Sequence, residues 1–469
     1  MAKKFKVLGV FLALVLSLSF AAACTRSGDE GGGGGSGELT VWTVAPLRGD
    51  YVTVLRTDSD NKQALFAQYV VDTFEKEFNC EVKLQNKGWG DTLNESVTRA
   101  IAGGTMPDIM CAESYMPEYI RGGHFAPIEL DEATLADLVP AGIEYCTYND
   151  TLYAVPAWTG SFALVINKNV LKEAEILNED ETVNSSWQAQ YPDINPLAPA
   201  TWEDLLDICT YIKNFYLGLK ENRKGGILLS DTKEGSAWRA LAYMQTAGGS
   251  FTNEAGEITM NTAENKKAFE MMRSLTKTMP DGAITSVNED TLWTYFFQNR
   301  AAYIVEGIDA VTRTVNYTTI SEDDVAVASL PTFENDGVKA NMMVGTGYYA
   351  ISKDSDNIDL AMEFIKFLLR DEIQLMMAEY DMRVPAKRSV LTGDAIKELE
   401  VYDELQVYLE PFTDSEYMMS SGIPSFSNNP VQIWERWKTF IDALLRTDES
   451  IDTILATAQN DMSDALNRG

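Results

Sequence analysis

"ELTVW", residues 38–42, reads as a strand, and "CEVKLQ", residues 80–85, reads as a second. Between them Phe66, Tyr69, Val70 and Phe74 recur at helical spacing. A strand, a helix and a strand in that order imply a parallel pair, because a crossover of this length returns the chain in the same direction. The unit repeats, with a helix over Leu93 to Ile101 ahead of a buried-looking strand "DIMCA" at 108–112. "LYAVPAW" (152–158) and "FALVIN" (162–167) are extended and interrupted by Pro156 and Gly160. Thr201 and Asp204 form a capping-box pattern ahead of Leu205, Ile208 and Ile212. "GGILLS" (225–230), helices over 236–246 and 263–275, and strands "AAYIVEG" (301–307), "VAVASLP" (325–331) and "GYYAIS" (347–352) follow, then helices to the end. The polar, Pro-rich segment 177–200 reads as a long surface loop. The alternation makes this an α/β chain.

Ahead of the first strand, Lys3, Lys4 and Lys6 precede a charge-free apolar run from Val7 to Phe20, the pattern of a secretory signal over residues 1–23. The run is short for a membrane span. Ala21, Ala22 and Ala23 stand directly before Cys24 and resemble a bacterial lipobox, in which cleavage precedes the cysteine and its sulfur is acylated. Ala21 departs from that pattern, where an aliphatic residue such as Leu is usual, and a plain small-residue cleavage site is the other reading. Residues 24–37, with a glycine tract, then read as a tether.

Removing residues 1–23 leaves 446 of the 469 residues, more than one hydrophobic core usually organises, so two lobes are expected. The formal charge of −32 repels phosphate backbones and argues against nucleic acid as a partner. Cys80, Cys111, Cys146 and Cys209 are unequally spaced with no C-x-x-C, which gives no support to the common metal sites. Disulfides remain open in an exported chain, although apolar surroundings favour free thiols.

Catalytic signals are sparse. His124 is the single histidine, and "RGGHFAPIEL" around it offers no nucleophile. "DSDNK" (58–62) and "DSDNID" (354–359) lack the glycine and terminal Glu of an EF-hand loop, and no phosphate-cradling GxxxxGK[ST] occurs. No metal or cofactor is expected. Nine tryptophans stand instead, several at strand ends or helix starts: Trp42, Trp89, Trp158 and Trp238. Ligands of open α/β sheets bind outside the carboxyl ends of strands, and exposed rings stack on the apolar faces of sugars. Each ring taken alone also suits a core.

Five stretches resemble, in order and spacing, the extracellular solute-binding proteins of ABC importers, the family that includes maltose-binding protein. They are "AGGTMPDIMCAESYMPEYIRGGHFAPIEL" (102–130), "YNDTLYAVPAWTGSFALVINKNVLKEA" (148–174), "FFQNRAAYIVEGIDAV" (296–311), "MMVGTGYYAISKDSDNIDLAMEFIKFLLRDEIQ" (342–374) and "DMRVPAKRSV" (381–390). The resemblance runs from about residue 38 to the end. It implies a periplasmic-binding-protein-like fold of type II, two hinge-connected lobes each with a central sheet flanked by helices. The first lobe is expected over 38–158 and 328–380, the second over 159–327 and 381–469.

The resemblance also places the ligand. Glu113, Ser114 and Tyr115 follow the "DIMCA" strand where the family contacts ligand, and a capped helix start explains them equally. Trp158 and Thr159 lie at the first interlobe crossing and are the foremost cleft candidates, with packing of the hinge as the other reading of Trp158. Trp238 stands where sugar-binding relatives place an aromatic platform, and Trp434 resembles a late cleft aromatic, with a helix core as its other reading. Asp309 occupies a place where the family often has an aromatic, so it offers a hydroxyl or amine acceptor instead of a stacking face. Gly345, Thr346 and Gly347 let backbone approach ligand, or serve a tight turn. Arg383 is a donor candidate, with pairing to an acid as the alternative; Trp42 and Trp89 complete the set. The implied function is a lipid-anchored, monomeric receptor on the extracellular face of the bacterial cytoplasmic membrane, which captures a mono- or oligosaccharide and hands it to an ABC permease. The alternatives are a receptor for peptides, amino-acid derivatives or polyamines, and a surface glycan-processing enzyme.

Overall fold

The structure, a computed structural model, describes residues 37–467 except 45, 114, 230–232, 254, 284–288, 309, 311–312, 314–318 and 421–429. The expected signal, Cys24 and the tract to Ser36, as well as Ser114 and Asp309, lie outside the described residues.

The strands are β1 (Glu38–Thr43), β2 (Glu81–Asn86), β3 (Ile109–Ala112), a hairpin of β4 (Thr147–Tyr148) and β5 (Thr151–Leu152), β6 (Ala154–Thr159), β7 (Ala163–Asn167), β8 (Gly225–Leu228), β9 (Ala301–Glu306), β10 (Val325–Ala328), β11 (Ala340–Met342), β12 (Gly347–Ile351), β13 (Val384–Pro385) and β14 (Met418–Ser420). The helices that matter here are α1 (Lys62–Phe78), α2 (Gly90–Gly103), α3 (Met116–Arg121), α4 (Trp202–Gly218), α5 (Lys233–Thr246), α6 (Ala263–Thr276), α7 (Ile358–Leu368), α8 (Asp371–Asp381), α9 (Tyr402–Thr413), α10 (Pro430–Arg446) and α11 (Ile451–Asn467).

Two sheets organise the chain. The first has the order β13-β6-β12-β3-β1-β2, and the second β10-β7-β9-β8. β1 runs parallel to both β2 and β3, as the strand, helix, strand reading requires, with Trp42 opposite Gln85 and Met110. β12 enters antiparallel between β3 and β6. In the second sheet β7 is antiparallel to β9 and β10, and β8 is parallel to β9.

Local chemistry explains the elements. Asn61 caps α1 by accepting the Ala64 N–H, and Asn79 ends it in the left-handed conformation at φ 51°. The face between buries Phe66, Val70 and Phe74, and Phe74 meets the Phe364 edge of α7 at 5.0 Å. α4 begins with the expected capping box of Thr201 and Asp204 and buries Leu205, Ile208 and Ile212. At the start of β1, the Asp108 carboxylate accepts from Thr40 N and Thr40 Oγ1 at 2.7 Å, Ser355 Oγ at 2.6 Å and Asn357 Nδ2 at 3.2 Å. Those bonds hold the Asp108 carboxyl below the usual range against the opposing effect of burial.

The segment 177–200 is largely exposed, as expected of a surface loop, and is pinned at a few points. Asn184 caps a short helix, Ser185–Gln188, whose Trp187 is buried and stacks on Tyr191 at 5.0 Å. Tyr303 Oη donates to Pro196 O at 2.7 Å. The few aromatics outweigh the polar composition because each buries a large apolar area. The four cysteines of the body are free thiols, with Cys111, Cys146 and Cys209 buried.

The chain passes between the sheets at segments that are stitched to one another. Phe162 N donates to Asn341 Oδ1 at 3.0 Å, and Asn341 Nδ2 returns a bond to Phe162 O at 2.8 Å. Val344 N donates to Gly160 O at 3.0 Å, and Ser161 Oγ to Tyr408 O at 2.9 Å. These polar groups are satisfied inside protein, as buried backbone must be.

Candidate functional site

The carboxyl ends of β1, β2 and β3 and the start of β12 converge on one region. β3 delivers Glu113. Tyr145 Oη donates to Glu113 O at 3.0 Å, and Glu113 Oε1 accepts the Thr346 N–H at 2.8 Å. Burial is the largest influence on this carboxyl and pushes it up to about 8, with the charge of Glu234 acting the same way. The backbone N–H groups of Thr346 and Gly345 and the charge of Arg383 oppose that rise.

Gly345 holds φ at +59°, and a Cβ there would lie 2.8 Å from Arg383 Nη1, so both conformation and space call for glycine. Arg383 is buried and donates through Nε to Asp381 Oδ2 at 2.8 Å, while Gln63 Nε2 donates to Asp381 Oδ1. The expected alternative, pairing with an acid, is therefore realised at Arg383. Thr159 Oγ1 lies 2.8 Å from Thr346 Oγ1, and both threonines are fully buried.

Of the expected aromatics, Trp238 and Trp434 come together. Tyr115 and Trp434 belong to one apolar cluster, with Trp42 and Trp238 packed against it. The Trp238 and Trp434 rings are 5.3 Å apart at 57°. Trp238 and Trp42 are half-buried; Trp434 and Tyr115 are buried. Lys87 places its ammonium 4.6 Å from the Trp42 ring centroid. Trp238 is the sixth residue of α5 and not its first, so it projects from an established turn.

Trp158 is placed elsewhere. It is 1% exposed, meets the Tyr349 edge at 5.1 Å and belongs to the core around the first sheet. A Cβ on Gly347 would come within 2.4 Å of its ring, so Gly347 exists to lie on the indole. Trp158 therefore underlies the site as a floor. Trp89 stands at the rim, 37% exposed, at the N-cap of α2.

Two participants carried no sequence signal beyond their neighbours. Glu234 lies one turn ahead of Trp238, and Arg239 follows it. Arg239 is buried, donates through Nε to Val305 O at 3.0 Å and pairs with Glu306, whose Oε1 accepts the Gly307 N–H at 3.0 Å. Among the described residues no group of three His, Cys, Asp or Glu side chains is placed to hold a metal ion.

A half-buried indole against a second ring, on the helix whose Glu234 acts on the Glu113 carboxyl, suits a hydroxyl-rich molecule with an apolar face. The sequence family of the bacterial extracellular solute-binding proteins matches residues 57–375. The chain belongs to that family. The galactooligosaccharide-binding protein of Bacillus subtilis (strain 168) is 22% identical to this solute-binding protein over 407 residues, 85% of this chain and 84% of that one. The GacH receptor of Streptomyces glaucescens GLA.O, solved unliganded and with acarbose, superposes with a TM-score of 0.69 at 18% identity over 92% of this chain and 99% of that one. The cyclic α-maltosyl-1,6-maltose binding protein of Arthrobacter globiformis gives 0.69 at 20% identity over 93% and 100%. These likenesses establish the two-lobed solute-binding fold, with a sheet and flanking helices in each lobe.

Proposed function

We propose that this solute-binding protein captures a carbohydrate between its lobes and delivers it to the permease of an ABC importer. The Trp238 and Trp434 ring pair, on and against the helix whose Glu234 acts on the Glu113 carboxyl, carries this reading. An aromatic ring covers the apolar face of a sugar, while polar groups around it take the hydroxyls. The relatives named for galactooligosaccharide, acarbose and cyclic maltosyl-maltose support the same ligand class.

Sheet membership supports lobes divided near residues 159–162 and 329–346, with the chain leaving the first sheet after β13. Capture is closure of these lobes over ligand, with no bond made or broken. Glu113, Tyr115, Gly345, Gly347, Arg383, Thr159, Trp42 and Trp89 line or support the first lobe's side, and Trp238 and Trp434 the second's; Ser114 and Asp309 are further contact candidates. Trp158 supports them from below.

The mature protein is anchored on the extracellular face of the bacterial cytoplasmic membrane through acylated Cys24 and acts as a monomer. Cys24→Ala is expected to move it from the membrane fraction to the medium.

The first experiment is a thermal-shift screen with maltose-series and galacto-oligosaccharides, dipeptides and polyamines. A ligand that binds only the folded state stabilises by about 2.7 kcal/mol at a hundredfold excess over Kd. A sugar that raises the midpoint and is recovered intact establishes the receptor. A peptide or amine response overturns the ligand class, and consumption of an oligosaccharide overturns the binding role.

A further inference from the structure

α5 belongs to the second lobe. Trp437 Nε1 on α10 donates to Ala237 O at 3.0 Å, and Arg239 reaches the end of β9. α2 belongs to the first lobe, directly after β2. Yet the head of Glu234, on the first turn of α5, lies against Gly90, the first residue of α2. An idealised Cβ on Gly90 would stand 2.5 Å from Glu234 Oε2, 2.9 Å from Cδ and 3.1 Å from Oε1. The carboxylate of one lobe thus occupies the space that any side chain at position 90 of the other would fill.

Both partners suit that contact. Gly90 has φ +50°, and the N-cap residue Trp89 provides no side-chain cap to α2, a helix of 14 residues. The first turn of such a helix presents unpaired N–H groups and a partial positive charge, which favour a carboxylate. The acid that faces Glu234 is Glu113, and Arg383 is the cation acting on that same carboxyl.

We infer that Glu234 is a positioning residue for capture: its carboxylate docks on the N-terminal turn of α2 at Gly90 and favours the closed arrangement of the lobes without touching ligand. The inference rests on the two-lobed reading and on capture by closure, and it is independent of which ligand is captured. Gly90 acts as the socket because it lacks a Cβ.

The test needs no ligand, so its failure is separate from failure of the sugar reading. Small-angle X-ray scattering of the ligand-free protein gives the closed-to-open ratio for the native chain, Glu234→Ala, Glu234→Gln and Glu264→Gln. The last removes an exposed acid on α6 of the same lobe. Glu234→Ala is expected to lower the ratio about two- to fivefold, the range of a carboxylate at a helix N-terminus. Glu234→Gln keeps the shape, loses the charge and is expected to move in the same direction, while Glu264→Gln leaves the ratio unchanged. Equal ratios in the native chain and both Glu234 variants, or a native chain with no closed population, overturn the inference. A shift in Glu264→Gln as large as that in Glu234→Gln also overturns it, since general charge would then account for the effect.

Discussion

Glu113 is a carboxyl group held where its charged form is disfavoured, and this has a pH signature. Its folded pKa of about 8 lies above the ordinary 4.5, chiefly through burial. Between those values the folded state retains a proton that the unfolded chain releases, so stability is full below pH 4.5 and falls as pH rises to 8. The contribution is on the order of a few kcal/mol at most. Glu113→Gln is expected to flatten the dependence, so that its thermal midpoint gains on the native protein between pH 5 and pH 9. Parallel midpoint curves would place the Glu113 carboxyl in ordinary solvent. Gly345 allows a second test at one position. Gly345→Ala forces a side chain into the left-handed region and against Arg383, and a loss of about 1–2 kcal/mol by denaturant titration is expected.

β6 and α5 carry the two tryptophans whose roles the structure separates. Every residue of β6 is buried, so no alternation in the sequence reveals which way Trp158 points. Its ring fills the core under Gly347, and Trp158→Ala is expected to destabilise by about 3–5 kcal/mol, read as a lowered unfolding midpoint. Trp238 is half-buried beside Trp434, and Trp238→Ala is expected to weaken sugar binding about ten- to a hundredfold in calorimetry, with a smaller change in stability. The reverse pattern would exchange floor and platform. The same contrast marks what the sequence reveals. Phe66, Val70 and Phe74 announce α1 by their period, and Thr201 with Asp204 announces α4, because helix chemistry is local. The insertion of β12 between β3 and β6 depends on partners about 190 to 240 residues apart, which no local pattern records. Segment 177–200 hides Trp187 and Tyr191 among polar residues and prolines, and Glu234 looks like any other acid until Gly90 is placed beside it.

The two-lobed architecture ties affinity to shape. A ligand shifts the lobes only through its preference for the closed arrangement, so groups from both sides must contribute. Glu113→Gln from the first lobe and Trp238→Ala from the second are each expected to raise the dissociation rate of bound sugar more than they lower the association rate, as stopped-flow fluorescence would read. A variant pair in which only one lobe matters would describe an open surface site. Where the chain passes between the sheets, buried hydrogen bonds join Asn341 to Phe162 and Val344 to Gly160.

β1 has one more property, set by its place between β2 and β3 with hydrogen bonds on both flanks. Its first residue follows Gly37, on the side where the chain comes from Cys24, and the Asp108 carboxylate grips it at Thr40. A tug on the amino end of this strand acts along its length and loads both ladders in shear, all rungs together, where an edge strand would be peeled rung by rung. A chain pulled by that end is expected to resist unfolding more than one pulled through an edge strand, because the ladders on both flanks of β1 share the load.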